Sequence, residues 1–529
     1  MKSKLISIGG TLLFGFVYFY ITLPALNVHT NEFWFFITLL VLCFLVLTNL
    51  SSTKELIAGK MTLKRAISKN KVILIIPAIY VCILLLDIIG SPLFNASKYA
   101  SRIVIDEAKT FNNDVEKVDF TKLPLLDKDS SMQLGDRVMG QMSDLVSQFN
   151  VSNMYTQINY NGKIIRVTPL DYADFIKWIT NRKEGVKGYI SVDSTNGESN
   201  LIRLNDGMKY VESGYFNDNL YRKLRFDYPF DSFGRISFEI DEEGHPYFIV
   251  PVISYKLIEL RRDVSHVIIF DPITGESKKR SVSEVPSWVD MVYPADLIIE
   301  QVDDWGNYNK GFFNSIFGQK NVVNTTEGYN YLAYNDDIYL YTGITSIVSD
   351  ESNLGFILTN MRTKETTFYK VAGAEEYSAM ASAEGAVQHL GYTSTFPLLI
   401  NLNNKPTYLV SLKDAAGLVK MYAFIDVVDY QKVVVTDSSK GIIEAAHNYL
   451  GDKSHILPNE ELNIKEITIK RISSAIIDGN TYYYIIDNNN KRYKVSINVS
   501  DELPFLVNGM RVKIGYALEE DITIINKIY

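Results

Sequence analysis

Apolar residues crowd the first hundred positions into three long runs and thereafter fall into short alternating stretches. The runs are LISIGGTLLFGFVYFYITLPAL from Leu5, FWFFITLLVLCFLVLTNL from Phe33 and VILIIPAIYVCILLLDIIGSPLF from Val72. Each approaches or exceeds the ~18–20 residues with which a helix crosses a bilayer, so residues 1–94 are predicted to form a three-helix transmembrane domain. Lys2 and Lys4 give the first run the basic start of a signal peptide. No small-residue cleavage site follows it, and two further spans do, so it reads as a retained helix.

Past the spans, Ile103, Val104, Phe111 and Val115, and then Leu134, Val138, Met142, Leu145 and Val146, recur at helical spacing. They predict a juxtamembrane helical segment over 95–150, a stalk or a first helical layer. From Tyr155 the period changes to two, the mark of half-buried strands. Asn161-Gly162 and Glu243-Gly244 are hairpin turns of the type that needs positive φ. Helices are predicted in DYADFIKWITN, NDNLYRKLRF and EEYSAMASAEGAVQHLG, each ahead of hairpins.

The resulting plan is α+β. Tandem helix-plus-sheet modules occupy 151–300, an aromatic connector and a further module 301–437, and a linker 438–458. Over 459–529, five strands with a helical SDELPFL before the fourth predict a small barrel of the OB or SH3 kind.

One phrase occurs twice. HVIIFDPITGESKK carries Asp271, Thr274, Gly275 and Glu276, and YISVDSTNGES carries Asp193, Gly197 and Glu198 after a similar apolar run. In the last module Asp429 is followed by Tyr-Gln-Lys, with no glycine. Helix, hairpin, then a strand ending in Asp and a turn resembles the PepSY-type module of bacterial envelope proteins, which implies a helix packed on a small antiparallel sheet. DYADFIKWITNR, TTEGYNYLAYNDDIYLYTGITS and GAEEYSAMASAEGAVQHLGY also resemble stretches of uncharacterised membrane-anchored proteins of Gram-positive bacteria. That resemblance implies an envelope location and build, and carries over no catalytic residue.

Charge orients the spans. The turn NVHTNE has no Lys or Arg, whereas Lys54, Lys60, Lys64, Arg65, Lys69 and Lys71 lie between the second and third runs. Basic loops stay in the cytoplasm, so the amino terminus is predicted inside and everything after about residue 95 extracytoplasmic. Both cysteines, Cys43 and Cys82, fall within spans, so the remainder must be stable through its cores without disulfides. The net charge of −8 offers no basic face for phosphate backbones, which argues against nucleic acid as a partner.

Catalytic signatures are missing: the sequence has no nucleophile elbow, paired-histidine zinc motif, Walker loop or dinucleotide fingerprint. The histidines at 245, 266, 389, 447 and 455 are dispersed, and no cofactor or metal is expected. Asp241, Asp303 and Asp487 open acidic loops without the ligand spacing of a calcium loop, and the first reads as a hairpin turn. Asp87, near the end of the third run, can reach the interface. Trp288, Trp305, Tyr308 and Phe312 could bind a glycan or peptide, or wedge subdomains together. Tyr482 and Tyr484, beside Lys491, Arg492 and Lys494, give the terminal barrel a docking face for protein or wall polymer.

The expectation is a membrane-anchored envelope protein without catalysis of its own. It would scaffold, sense or regulate an extracytoplasmic protein or cell-wall polymer, with the bilayer as partner and oligomers forming through the spans. The alternative is an accessory subunit of a membrane transporter or envelope enzyme complex.

Overall fold

The computed structural model describes residues 2–48, 74–334, 336–347, 349–451, 463–477, 480–500, 502–516, 522–525 and 527–529. The basic residues Lys54 to Lys71, His455 and the end of the expected linker, 452–458, lie outside the described residues. The protein is mixed α+β and divides into two units, residues 1–108 with 124–372, and residues 109–123 with 373–529.

Among the described residues two helices are long and apolar enough to cross a membrane, α1 (Lys2–Thr22) and α2 (Asn31–Thr48), both in the first unit. The third run forms α3 (Ile75–Gly90), which meets α4 (Pro92–Ala100) at a 53° bend, so the two together make at most one broken span. The break falls where Ser91 turns extended ahead of Pro92, whose ring disfavours a helical conformation in the residue before it.

The helix expected across 103–115 does not form. Ile105–Asp106 is a short strand, β1, and α5 spans only Phe111–Asp114. The apolar residues there serve different ends: Ile103 is buried in the core with the third sheet, Val104 is exposed, and Phe111 is buried in the second unit along with Val118 and Phe120. The next helix, α6 (Lys128–Gly140), starts at Asp127, whose carboxylate accepts from the Ser130 N–H at 2.9 Å, and covers the first sheet as a helical layer.

That sheet comprises β2 (Phe149–Val151), β3 (Thr156–Tyr160), β4 (Lys163–Tyr172), β5 (Val186–Asp193) and β6 (Ser199–Met208), with α7 (Phe175–Asn181) between β4 and β5. β4, β5 and β6 form a meander, while β3 and β2 pair in turn along the free edge of β4. The pattern recurs behind α8 (Leu220–Asp227) in β7 (Ser232–Phe233), β8 (Ser237–Ile240), β9 (Pro246–Ser254), β10 (Asp263–Phe270) and β11 (Ser277–Ser281). It recurs again behind α9 (Ala295–Tyr308) in β12 (Val323–Thr325), β13 (Asn330–Tyr334), β14 (Asp337–Ser346), β15 (Ser349–Asn360) and β16 (Thr366–Tyr369), with β1 added in parallel on β16. The aromatic connector is therefore itself a module.

The middle sheet is buried on both faces. Phe248, Val250, Val252, Ile268 and Phe270 join one core with the first sheet, and Ile249, Ile253, Val264, Val267 and Ile269 join another with α9 and the third sheet. This explains why FIVPVI and HVIIF read as unbroken apolar runs, the mark of a strand with no solvent face. Each fully buried side chain of this kind contributes about 1.5–3 kcal/mol.

In the second unit, β17 (Gly373–Ala374) and α10 (Glu376–Ala386) precede β18 (Thr393–Ser394), β19 (Leu398–Leu402), β20 (Lys405–Lys413), β21 (Val419–Asp426) and β22 (Val433–Asp437). The topology is again the same, and α11 (Ile442–Leu450) closes the module. Residues 115–118 lie along β19: the Asn401 side chain donates to the Val115 carbonyl at 2.6 Å, and the Val118 N–H to the Asn401 carbonyl at 3.0 Å.

The terminal segment forms a half-barrel sheet from β23 (Asn463–Ile477), β24 (Asn480–Asp487), β25 (Arg492–Ser496), β26 (Arg511–Tyr516), β27 (Ile522–Ile524) and β28 (Lys527–Ile528). Their order is β27-β25-β24-β23-β26-β28, so the last few residues supply both edges. The expected helix in SDELPFL is a single tight turn, Leu503–Phe505.

The repeated phrase is the hairpin between the last two strands of a module. In the second module the Asp271 carboxylate accepts from the N–H groups of Ile273 and Thr274, and Gly275 stands at φ 78°. Asp193, Thr195, Asn196 and Gly197 repeat the geometry. In the third module Asn360 takes the acceptor role and Lys364, at φ 65°, the glycine position. In the last the anchor is Asp426, not Asp429, and accepts from Val428 and Asp429. Asp241 and Asp487 likewise accept from backbone N–H groups of their own hairpins. These are Asx turns, and their carboxylates are spent on the backbone.

Candidate membrane-interface site

Where the ends of α1 and α2 meet the modules, backbone and side chain are tied together. The Leu26 N–H donates to the Pro229 carbonyl at 2.8 Å, and the Glu259 N–H to the His29 carbonyl at 2.9 Å. Asn31 donates from its backbone and side chain to the two Glu259 carboxylate oxygens at 2.9 and 2.7 Å. Glu259 sits on the loop between β9 and β10, whose Leu257 and Leu260 press against Gly90 at the end of α3. One hairpin tip thus touches the turn between the first two runs, the start of α2 and the end of α3.

The short helix α8 lies against the end of α1. Asn219 caps it by accepting from the Arg222 N–H at 3.0 Å, and Leu220 and Leu224 are fully buried in the module core. Aromatic side chains on and around it are exposed: Phe226 packs edge-on against Phe19 at 5.4 Å, and Phe216, Phe226 and Phe230 are 55%, 44% and 67% exposed. Aromatic side chains beside the end of a helix apolar enough to cross a membrane are of the kind enriched at bilayer interfaces.

Between α1 and α8 lies a cleft of about 650 Å³, lined by Tyr20 to Leu23, Gly214 to Phe216, and Asn219, Tyr221, Arg222, Arg225 and Phe233. Arg222 donates to the Tyr20 carbonyl at 3.2 Å and the Phe216 carbonyl at 2.6 Å, and lies 4.4 Å over the Tyr20 ring. Arg225, only 6% exposed, donates to the carbonyls of Leu23 at 3.0 Å and Asp231 at 2.5 Å and lies 4.4 Å over Phe233. Burial lowers the pKa of the Arg225 guanidinium, with Glu32 and Asp231 opposing.

A second unusual cluster lies where the three modules of the first unit meet. Glu239 accepts from the N–H groups of Asp290 and Met291 at 2.8 and 3.1 Å and from the Ser237 hydroxyl at 2.9 Å. The Asp290 carboxylate accepts from the Asn159 N–H at 2.7 Å. Burial pushes Glu239 up to about 7. Burial and the Glu239 charge hold Asp290 well above the usual carboxylate range.

The aromatic residues singled out in the sequence do not converge. Trp288 packs on Tyr247 at 5.0 Å, and Trp305 on Phe368 at 6.0 Å, both against the second core. Tyr308 lies between Tyr99 and Phe312, leading to the exposed Phe313 and Phe317. Tyr482 and Tyr484 stand on one face of β24, with Lys494 4.2 Å over Tyr482. Asp87 lies within α3, one turn before Gly90.

Sequence reasoning passed over both clusters. The signal for the first was the arginine pair three apart in LYRKLRF, flanked by aromatics; for the second, an acid at an inward position of SFEI. Among the described residues no group of three or more His, Cys, Asp or Glu side chains could hold a metal ion. No protein-family model matches the chain, and no curated protein matches it.

Proposed function

We propose that this chain is a membrane-anchored envelope protein that acts by binding, its folded modules lying outside the cytoplasm and sensing or scaffolding a wall-space protein or polymer. The observation that carries this reading is the fastening of the span ends to the second module, through Glu259, Arg222 and Arg225. A flexible tether would leave the modules indifferent to the spans, whereas this joint passes any displacement of the modules to the helices.

Arg102, just past α4, pairs with Glu300 and Asp304 of α9, and Arg262 pairs with Glu300 and Asp296. This second joint favours the accessory-subunit reading as the alternative, because it couples the third run to a different module.

Single cysteines placed between Lys54 and Lys71 should resist membrane-impermeant maleimide in intact cells, and one at Ser438 should react. The reverse pattern would refute the orientation. Turnover of a wall or peptide substrate by the purified chain would refute a purely binding role, and one stoichiometric membrane partner captured through the spans would favour the alternative.

A further inference from the structure

We propose that the cleft between α1 and α8 is a binding site for a phosphate-bearing anion, Arg222 and Arg225 being its ligands. The inference deepens the membrane-anchored reading and rests on it for the depth of the site. No Asp or Glu lines the cleft. Of the acids near it, Asp218 pairs with Arg182 at 3.2 Å, Asp227 with Lys223 at 2.7 Å and Asp231 with Lys279 at 2.6 Å, and Glu212 is bonded to the Tyr221 side chain. The two guanidiniums are held in place by carbonyls and aromatic rings, which fix orientation without neutralising charge.

Glu32 and Asp231 act on Arg225 but neither lines the cleft, so the cleft holds two guanidiniums and no anion of its own, and an arginine fork suits phosphate oxygens. Phosphate also fits the location. Tyr20 to Leu23 end an apolar span, so the cleft lies at headgroup depth, and the exposed Phe216, Phe226 and Phe230 surround α8 with surface suited to acyl chains. A phosphate carrying an apolar tail therefore meets charge inside the cleft and hydrocarbon outside it. The same two arginines would also accept a soluble phosphate monoester, and the two sources are separable by experiment.

The full chain, purified in micelles, is titrated with phosphatidylglycerol and with phosphatidylcholine, and bound lipid is counted by native mass spectrometry. Soluble sn-glycerol 3-phosphate is titrated calorimetrically in parallel. The expected result is preference for the anionic lipid, weakened about tenfold or more by Arg222→Gln and largely kept by Arg222→Lys. Binding of glycerol phosphate with the same mutational pattern, without lipid preference, assigns the site to a soluble phosphate. If Arg222→Gln binds both probes as the native chain does, with its melting transition intact, the site is refuted. Release of the native chain from membranes by alkaline carbonate would overturn the anchoring reading instead, and the glycerol phosphate titration would then decide the anion site alone.

Discussion

Replacing Asp290 with asparagine tests the buried carboxyl pair directly. Asn preserves an oxygen for the Asn159 N–H and removes the proton equilibrium. Asp290 ionises in the unfolded chain near its ordinary value of 3.8, while burial and Glu239 keep it protonated in the folded state well above that. A raised acid pKa means that the folded state holds a proton the unfolded state has released, so stability is fully present at low pH and falls as pH rises. The slope is about 1.4 kcal/mol per pH unit for one proton.

Above the ordinary carboxylate range and up to the folded-state pKa of Asp290, the native chain should therefore lose at most about 1.4 kcal/mol per pH unit that Asp290→Asn retains. At about 2–4 °C per kcal/mol, the two melting temperatures should diverge as pH rises, by at most about 3–6 °C per pH unit. Asp337 and Arg362 also act on Asp290 and remain in both proteins, as does Glu239. All four tryptophans, Trp34, Trp178, Trp288 and Trp305, belong to the first unit, so fluorescence during a thermal ramp reads that unit selectively. Parallel melting curves at pH 5, 6 and 7 would show that Asp290 carries no excess proton and refute the reasoning.

Other substitutions address the turns and the joint. Asp271→Ala removes the acceptor for two backbone N–H groups and should cost about 1–2 kcal/mol in the same melt, while added calcium should leave the native transition unmoved; a calcium-dependent rise would contradict the Asx-turn assignment. Glu259→Ala should speed hydrogen exchange at the amides of residues 29–31 by about tenfold, the equivalent of one charged hydrogen bond lost; unchanged exchange would show that the joint holds without it. Asn404, at φ 60° in the turn between β19 and β20, should tolerate glycine with a gain of about 0.5–1 kcal/mol in the second unit, read by circular dichroism.

Much of the module plan was legible because its signals are local. Asn161-Gly162 turns at φ 51° and 76°, as a two-residue hairpin requires, and Asp174 and Asn219 cap the helices that follow them. The kinship of the third module with the others escaped because Lys364 occupies its left-handed turn position and Asn360 replaces the aspartate, so the shared Asp-and-glycine signature is missing. Edge strands of two residues, such as Ser232–Phe233 and Thr393–Ser394, carry no period at all. The cleft was illegible for a different reason: its walls come from residues two hundred positions apart in sequence, and spacing along the chain says nothing of such a meeting. Trp288 and Trp305 were legible as apolar mass but not as to what they cover, which only packing decides.

The placement of residues 109–123 sets a timetable for synthesis. Phe111, Val118 and Phe120 leave the ribosome well before β19 and β20, against which this segment docks, and the chain between them must fold without it. Until then these side chains are exposed apolar surface, a natural target for a chaperone. A fragment starting at Gly373 would carry the matching vacancy, and a synthetic peptide of residues 109–123 should bind and solubilise it, as complementing halves of a split protein do.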